Sequence, residues 1–461
     1  MEIQVGNLIS KLVTDNPKLL EVFHEKYAYK VPGYQYTPQY KRRVWDGKKS
    51  YFKKSGEFRT GLLDRITSDL ITIGVNRNAV SGDPLIVDDF VLPVKGVKNF
   101  NYFDYQEEAI QEALNCKRMI IESPVGSGKT LIMAGIVASL APRRMIVLFK
   151  EKGILKQTYD FFKKCGIKNL GINSGEGYID GEVMLTTVQS IDRVLDSHLD
   201  QAEVLMVDEA HQFCKGETTV AAIESFKNAI WRIAFTATVP SEKNDIHGRL
   251  TLEGAFGGVY STRSTDDLIK DGKLAKPIIQ ILEFNPTLDK VDDDLSYQEL
   301  YEKYIVSNEL RNSQISQICN SISSKNKSSK TLILCKNLCQ VQHLKNLLPG
   351  SVSVEGKDTL EERYEIIQSF IADTKHPILI GTNVLQTGIN INEITHMINA
   401  RGLEGEIPTI QGLGRGIRKS EGKTEMHFYD FYDKVPYLEK HSKSRIKHYE
   451  SLKFEINYAK L

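Results

Sequence analysis

Ser123-Pro-Val-Gly-Ser-Gly-Lys-Thr130 follows the apolar run Met119-Ile-Ile and precedes Leu131-Ile-Met-Ala-Gly-Ile-Val-Ala138, which puts a glycine-rich loop between a strand and a helix. A loop in that place can cradle phosphates. Gly126 and Gly128 let the backbone wrap closely around Ser127 and turn its N–H groups inward, while the helix N-terminus adds a favourable dipole. Lys129 can reach the β- and γ-phosphates, and Thr130 can offer its hydroxyl to Mg²⁺. The usual pattern begins with glycine where this chain has Ser123, a small residue that fits the same place. ATP and Mg²⁺ are therefore the expected cofactors.

The apolar run Val204-Leu-Met-Val207 ends in Asp208-Glu-Ala-His211. An apolar strand ending in acids sets a carboxylate at the carboxyl edge of a parallel sheet, where such sheets bind ligands. Asp208 is the expected holder of Mg²⁺, and Glu209 the residue that polarises attacking water. Farther on, Gln411-Gly-Leu-Gly-Arg-Gly-Ile-Arg418 spaces Arg415 and Arg418 on one face of a helix. As arginine fingers they would neutralise charge in the transition state, with Gln411 helping to position water. A basic surface helix is the alternative reading of that segment.

Taken in order, Gln106, the phosphate loop, Thr186-Thr-Val-Gln-Ser190, Asp208-Glu-Ala-His211, Thr236-Ala-Thr238, Ile380-Gly-Thr-Asn-Val-Leu-Gln-Thr-Gly-Ile-Asn390 and the Gln411–Arg418 segment resemble the motif series of the superfamily 2 helicases. The resemblance implies an α/β fold with two RecA-like parallel-sheet motor domains, ATP between them and nucleic acid across both. It further implies that Gln106 bonds the adenine edge and that His211 and Gly388 belong to the nucleotide site. Lys150, Thr187, Gln189, Lys336, Thr382 and Asn383 are the implied nucleic-acid contacts.

At 461 residues the chain exceeds one ordinary core, and its 41% hydrophobic and 26% charged content is that of a globular protein. No apolar run reaches the length of a membrane span, and Met1-Glu-Ile-Gln-Val-Gly6 lacks the basic-then-apolar form of a signal peptide. The expectation is a cytoplasmic protein, monomeric, without a membrane partner. The six cysteines are scattered, and Cys335 and Cys339 stand too far apart for a common zinc knuckle, so free thiols are expected.

A net charge of +1 says nothing about nucleic acid, but its distribution does. Lys41, Arg42, Arg43, Lys48, Lys49, Lys53, Lys54, Arg59 and Arg65 crowd one segment against Asp46, Glu57 and Asp64, with Tyr34, Tyr36, Tyr40, Trp45, Tyr51, Phe52 and Phe58 among them. Arg42, Arg43 and Trp45 suit phosphates and base stacking. Equally, the rings could form a small core and the lysines its solvated surface. Pro32-Gly-Tyr-Gln-Tyr-Thr-Pro38 and Trp45-Asp-Gly47 resemble the N-terminal domain of phage branch-migration helicases of the UvsW type, which implies DNA, branched or forked, as partner.

The expected division is a small α+β accessory domain (1–95) with a helix near Pro17–Tyr27 and strands near 85–87 and 90–92. A first motor domain (96–276), a second (277–435) and a basic helical tail (436–461) follow. A helix N-terminus capped by Asp104 and an acidic helical decoration at 288–312 complete the outline. The tail could touch duplex DNA or cap the second domain. The motor reading leaves open a duplex translocase, an RNA helicase and an ATP-gated nucleic-acid sensor.

Overall fold

The structure is a computed structural model that describes every residue except 76–79, 83–91, 176, 195, 214–215, 244, 287–294, 327, 374–377, 383–390, 405–412, 415, 421 and 461. The described chain falls into two compact units, Met1–Ser123 with Gly128–Thr262, and Arg263–Leu461 with Pro124–Ser127. Both are built on a parallel sheet.

The N-terminal segment contributes β1 (Glu2–Val5), β2 (Ile9–Val13), α1 (Pro17–Lys26), β3 (Ala28–Lys30), α2 (Pro38–Lys41), β4 (Lys48–Ser50), β5 (Glu57–Arg59), α3 (Leu63–Thr72) and β6 (Val80–Gly82). The sheet order is β5-β2-β1-β6, with β3 and β4 paired as a separate hairpin. Asn16 caps α1 by accepting from the Leu19 N–H, and Pro17 occupies the first turn, where no intrahelical donor is missed. The strands expected near 85–87 and 90–92 fall on 83–91, outside the described residues but for Leu92.

The first motor sheet holds β7 (Arg118–Glu122), β8 (Met145–Phe149), β9 (Leu170–Asn173), β10 (Tyr178–Ile179), β11 (Val183–Thr187), β12 (Val204–Val207), β13 (Trp231–Thr236) and β14 (Val259–Ser261), with α4 (Asp104–Cys116), α5 (Lys129–Leu140), α6 (Glu217–Glu224) and α7 (Ile246–Phe256) among its helices. The order is β10-β9-β11-β8-β12-β13-β7-β14, parallel except at β10–β9. Every residue of β8, β11, β12 and β13 is buried, which is why β8 and β12 read as continuous apolar runs and not as alternating ones. The helix α5 is apolar on all sides and packs beneath the loop that precedes it. A Cβ on Gly135 would sit 2.9 Å from the Tyr102 hydroxyl, so glycine sets how closely α5 approaches its neighbours.

The accessory segment shares its core with this sheet. Leu250 of α7 belongs to the same apolar cluster as Ile3, Leu12, Phe23, Tyr27, Phe52 and Phe58. Tyr51 Oη bonds His247 Nδ1 at 2.7 Å and also meets Thr251 Oγ1, and Tyr29 stacks on the His247 ring at 4.3 Å. Arg65 reaches Glu242 and Glu253 at 2.8 Å each. The aromatic-rich segment thus divides: Phe52 and Phe58 are core, whereas Tyr36 is 75% exposed.

The second sheet comprises β15 (Lys276–Phe284), β16 (Lys330–Leu334), β17 (Val352–Val354), β18 (Ile378–Gly381), β19 (Ile394–Asn399), β20 (Glu425–Asp433) and β21 (Glu455–Lys460), with α8 (Glu309–Lys325) and α9 (Leu438–Ser451). Its order, β17-β18-β16-β19-β20-β15-β21, is parallel throughout. The expected basic helical tail is only partly a helix. Glu455–Lys460 becomes an edge strand beside β15, and Arg445 of α9 is buried on Asp430 at 2.8 Å. The expected decoration at 288–312 is likewise integral where it is described, because Arg311 of α8 forms a buried ion pair with Asp433 at 2.9 Å. In both cases a charge that reads as surface finds a buried carboxylate on β20.

Candidate nucleotide site and nucleic-acid face

The loop between β7 and α5 has the backbone a phosphate cradle requires. Gly126 and Gly128 take φ of 86° and 85°, the left-handed region that glycine enters without a Cβ penalty. Gly128 also caps α5, and a Cβ there would strike the Gln106 carboxamide. Lys129 Nζ donates to Ser123 O at 3.0 Å, and Ser127 Oγ donates to Pro124 O at 2.7 Å. Ser123 has its own reason to replace glycine. Its side chain is fully buried and its Oγ accepts from Thr262 Oγ1 at 2.9 Å, while its N–H donates to Thr236 O. Thr130 is half-buried in the first turn of α5.

The two acids lie just past the carboxyl end of β12. The Asp208 N–H continues the ladder by donating to Leu148 O at 3.0 Å, which buries its side chain. Burial pushes the Asp208 carboxyl up to about 7; the charge of Glu209 acts in the same direction and the Lys129 ammonium opposes both. Glu209 adopts φ 49° and ψ 47°, a left-handed conformation that a side-chain-bearing residue takes only when its surroundings hold it there. One tie is its N–H, which donates to Asp208 Oδ1 at 2.9 Å.

His211 links these acids to the Thr236-Ala-Thr238 turn. Its Nδ1 lies 2.9 Å from Thr236 Oγ1 and 3.5 Å from Glu209 Oε2. The Thr236 hydroxyl donates its one proton to Thr238 O at 2.9 Å, so in the His211 contact it accepts and Nδ1 carries the hydrogen. Thr236 belongs to the Thr236-Ala-Thr238 motif of the sequence, whereas Thr262, which donates to Ser123 Oγ, is a site residue that the motif string did not single out. Its place directly after β14, the strand paired with β7, is what brings it beside the loop.

Gln106 is buried, with Oε1 accepting the Phe103 N–H at 3.0 Å and Nε2 lying 3.4 Å from Tyr105 Oη. The helix cap is Phe103 and not Asp104, which sits in the first turn of α4; the Gln106 side chain, reaching back to the cap N–H, does the work expected of Asp104. The Phe103 ring is exposed and stacks on Tyr105.

The donor set suits Mg²⁺ and triphosphate. A buried carboxylate beside Glu209, with its proton affinity raised, gains from a divalent cation, which Asp208 and the Thr130 hydroxyl would hold and which would neutralise phosphate charge. Among the described residues, no group of three or more His, Cys, Asp or Glu forms a protein-only metal site.

The expected nucleic-acid residues sort by exposure. Lys150 and Gln189 are exposed just past β8 and β11. Thr187 does not present its hydroxyl as expected: it is buried and donates to Ser190 Oγ at 3.0 Å. In the second unit Lys336 is exposed with its ammonium 4.4 Å from the Tyr301 ring, whereas Thr382 is buried at the end of β18. Arg418 does not stand in solvent as the alternative reading of a basic surface helix has it. Its backbone forms a bridge with Leu274, its guanidinium is buried with Nε unpartnered among the described residues, and burial lowers it to about 10. Asn383, Gly388, Gln411 and Arg415 lie outside the described residues.

Arg42 and Arg43 are exposed on the loop that joins β3 to β4. The Val31 N–H donates to Gly47 O at 2.9 Å and closes the base of that loop. Thr37 caps α2 ahead of Pro38, Tyr34 meets Tyr40 edge-on at 4.7 Å, and Trp45 Nε1 donates to Lys48 O at 2.6 Å. These ties give the loop a shape while leaving Tyr36, Val44 and both arginines in solvent.

Two family models match the chain in order, "Type III restriction enzyme, res subunit" over residues 99–241 and "Helicase conserved C-terminal domain" over 313–420. The chain belongs to the superfamily 2 helicases. Among curated relatives, the helicase is 22% identical over 485 aligned residues to the "ATP-dependent DNA helicase uvsW" of Enterobacteria phage T4, covering 94% of each chain. The crystal structure of T4 UvsW aligns over 100% of this chain and 99% of that one, with 19% identity and a TM-score of 0.49. Dbp5 of S. cerevisiae, solved with RNA and ADP BeF3, aligns over 79% of this chain and 90% of that one with 15% identity and a TM-score of 0.58, a likeness of fold. No helix among the described residues is long and apolar enough to cross a membrane.

Proposed function

We propose that this helicase couples ATP hydrolysis to movement on branched or forked DNA, acting by fork regression, junction branch migration and unwinding in recombination, repair or replication, as a monomer in the cytoplasm of its host cell. The observation that carries the reading is the exposed Tyr36, Arg42 and Arg43 loop on a segment whose core is shared, through Leu250, with the sheet that holds Lys129 and Asp208. A basic, ring-bearing loop fixed to the motor suits a duplex arm next to a junction, where phosphates give affinity without sequence preference. The name of the T4 relative, an ATP-dependent DNA helicase, favours DNA over RNA.

In this mechanism the backbone from Ser123 to Gly128 wraps the phosphates and Lys129 leaves Ser123 O to pair with them. Glu209 orients water, and Arg415 and Arg418 add positive charge as it is needed. The His211–Thr236 bond ties the position of Glu209 to the Thr236–Thr238 turn, so a change at the phosphates reaches residues beyond the nucleotide.

The experiment is ATP hydrolysis and strand displacement with no nucleic acid, single-stranded DNA, duplex, a four-way junction and matched RNA. Stimulation and displacement greatest on the junction, with Lys129→Ala abolishing both at least 100-fold while binding stays within a few-fold, is expected. Stimulation by RNA alone, or stimulation without displacement on any DNA, overturns the reading. Deleting residues 1–95 is not the informative variant, because it would uncover Leu250 and the His247 face of α7.

A further inference from the structure

We propose that a cavity at the amino-terminal edge of the first sheet, bounded by Arg118 and Arg232, binds a small oxyanion. Arg118 opens β7, and Arg232 of β13 is its cross-strand partner in register. The sheet therefore sets two guanidinium-bearing residues side by side, at the edge opposite the one that leads into Ser123 and Asp208. Like charges so placed repel. Burial lowers Arg118 to about 9, with the charge of Arg232 adding to the effect, and burial lowers Arg232 to about 10.

Neither guanidinium is neutralised by a carboxylate within ion-pair distance among the described residues. Arg232 donates to Ala229 O and Ile223 O at 3.2 Å each and to Phe226 O, closing the carboxyl end of α6 with dipoles and not with charge. Arg118 donates through Nη2 to Asn7 Oδ1, and its buried Nε has no partner among the described residues. Among the described residues Glu224 is the one carboxylate lining the cavity; it is paired with Arg59, and its charge partly offsets the effect of burial on Arg232. The buried Arg232 and the half-buried Arg118 thus face a space of about 160 Å³ whose other walls include Val220 and Ile223. An oxyanion would restore the charge balance there and accept from the donor that Arg118 leaves over.

The space is too small for a nucleotide-sized guest by the usual range of such pockets, about 300 Å³ and above. It suits a single phosphate, or a carboxylate head carrying a short apolar body. Because Leu8 and Arg59 of the accessory segment line it together with residues of α6 and α7, an occupant would fasten that segment to the motor sheet.

The test uses the full chain carrying Lys129→Ala, so that the phosphate loop contributes little. Its thermal midpoint is followed against inorganic phosphate and, separately, benzoate, at ionic strength held constant with chloride. A saturable rise with at least one of them is expected, since a ligand that binds only the folded state stabilises by mass action. Arg118→Gln should raise the half-saturating concentration by about tenfold or more, the scale of a lost charge-assisted bond. Val220→Phe, which fills the cavity without altering either guanidinium, should abolish the rise. Saturation by phosphate alone identifies a phosphate site, and saturation by benzoate a site for apolar carboxylates. No saturable rise with either anion, or a rise unchanged in both variants, overturns the proposal.

Discussion

Replacing Asp208 by asparagine should make the first unit more stable at high pH while abolishing hydrolysis. The Asp208 carboxyl is pushed from 3.8 up to about 7, mainly by burial. A carboxyl whose folded value is raised holds its proton longer in the folded state than in the unfolded one, so stability falls as pH rises through the interval between the two values. At about 1.4 kcal/mol per unit, the cost is small at pH 4 and grows to several kcal/mol, on the order of 4, at pH 8. Asparagine has no such cost and keeps an acceptor for the Glu209 N–H. The stability advantage of Asp208→Asn should therefore be small at pH 4 and grow to a rise in thermal midpoint on the order of 10 °C by pH 8 for a unit of this size. Differential scanning calorimetry without Mg²⁺ from pH 4 to 8 measures it, with ATP hydrolysis assayed alongside. An advantage that does not change with pH, or a loss of stability at pH 8, would refute the reasoning.

Arg445→Met should destabilise the second unit by about 3 kcal/mol or more in denaturant titrations. Among the described residues Asp430 would keep Tyr449 and Asn399 as side-chain hydrogen-bond partners and remain buried without its direct ion pair. The double variant Arg42→Ala/Arg43→Ala should weaken DNA binding evenly across sequences and reduce the slope of log K against log salt by about 2, with hydrolysis in the absence of DNA unchanged; an unaltered slope would remove these arginines from the interface. Tyr51→Phe removes the hydroxyl that meets His247 and Thr251 and should cost about 1–2 kcal/mol, read as earlier loss of protection in the β3–β4 hairpin by hydrogen exchange.

The sequence by itself determined the parts whose physics is local. Short continuous apolar runs at Met145–Phe149 and Val204–Val207, each followed by polar residues, read as strands covered on both faces, so a parallel α/β sheet is legible before any contact is known. Glycines at 126 and 128 ahead of Lys129-Thr130 mark the phosphate loop because few other residues accept its backbone, and the order of the motifs marks the family. The tertiary structure alone decided which charges are surface. Arg445, in a tail that reads as basic and solvated, and Arg311, in a stretch that reads as decoration, are buried because β20 brings Asp430 and Asp433 to them from far along the chain. It also decided that the accessory segment is no separate core, since Leu250 and His247 come from a helix that follows the Thr236–Thr238 turn. Pairing of distant partners leaves no periodicity in either partner's own segment, and that is why burial of charge, the His211–Thr236 bond and the Arg118–Arg232 edge had to be read from the fold.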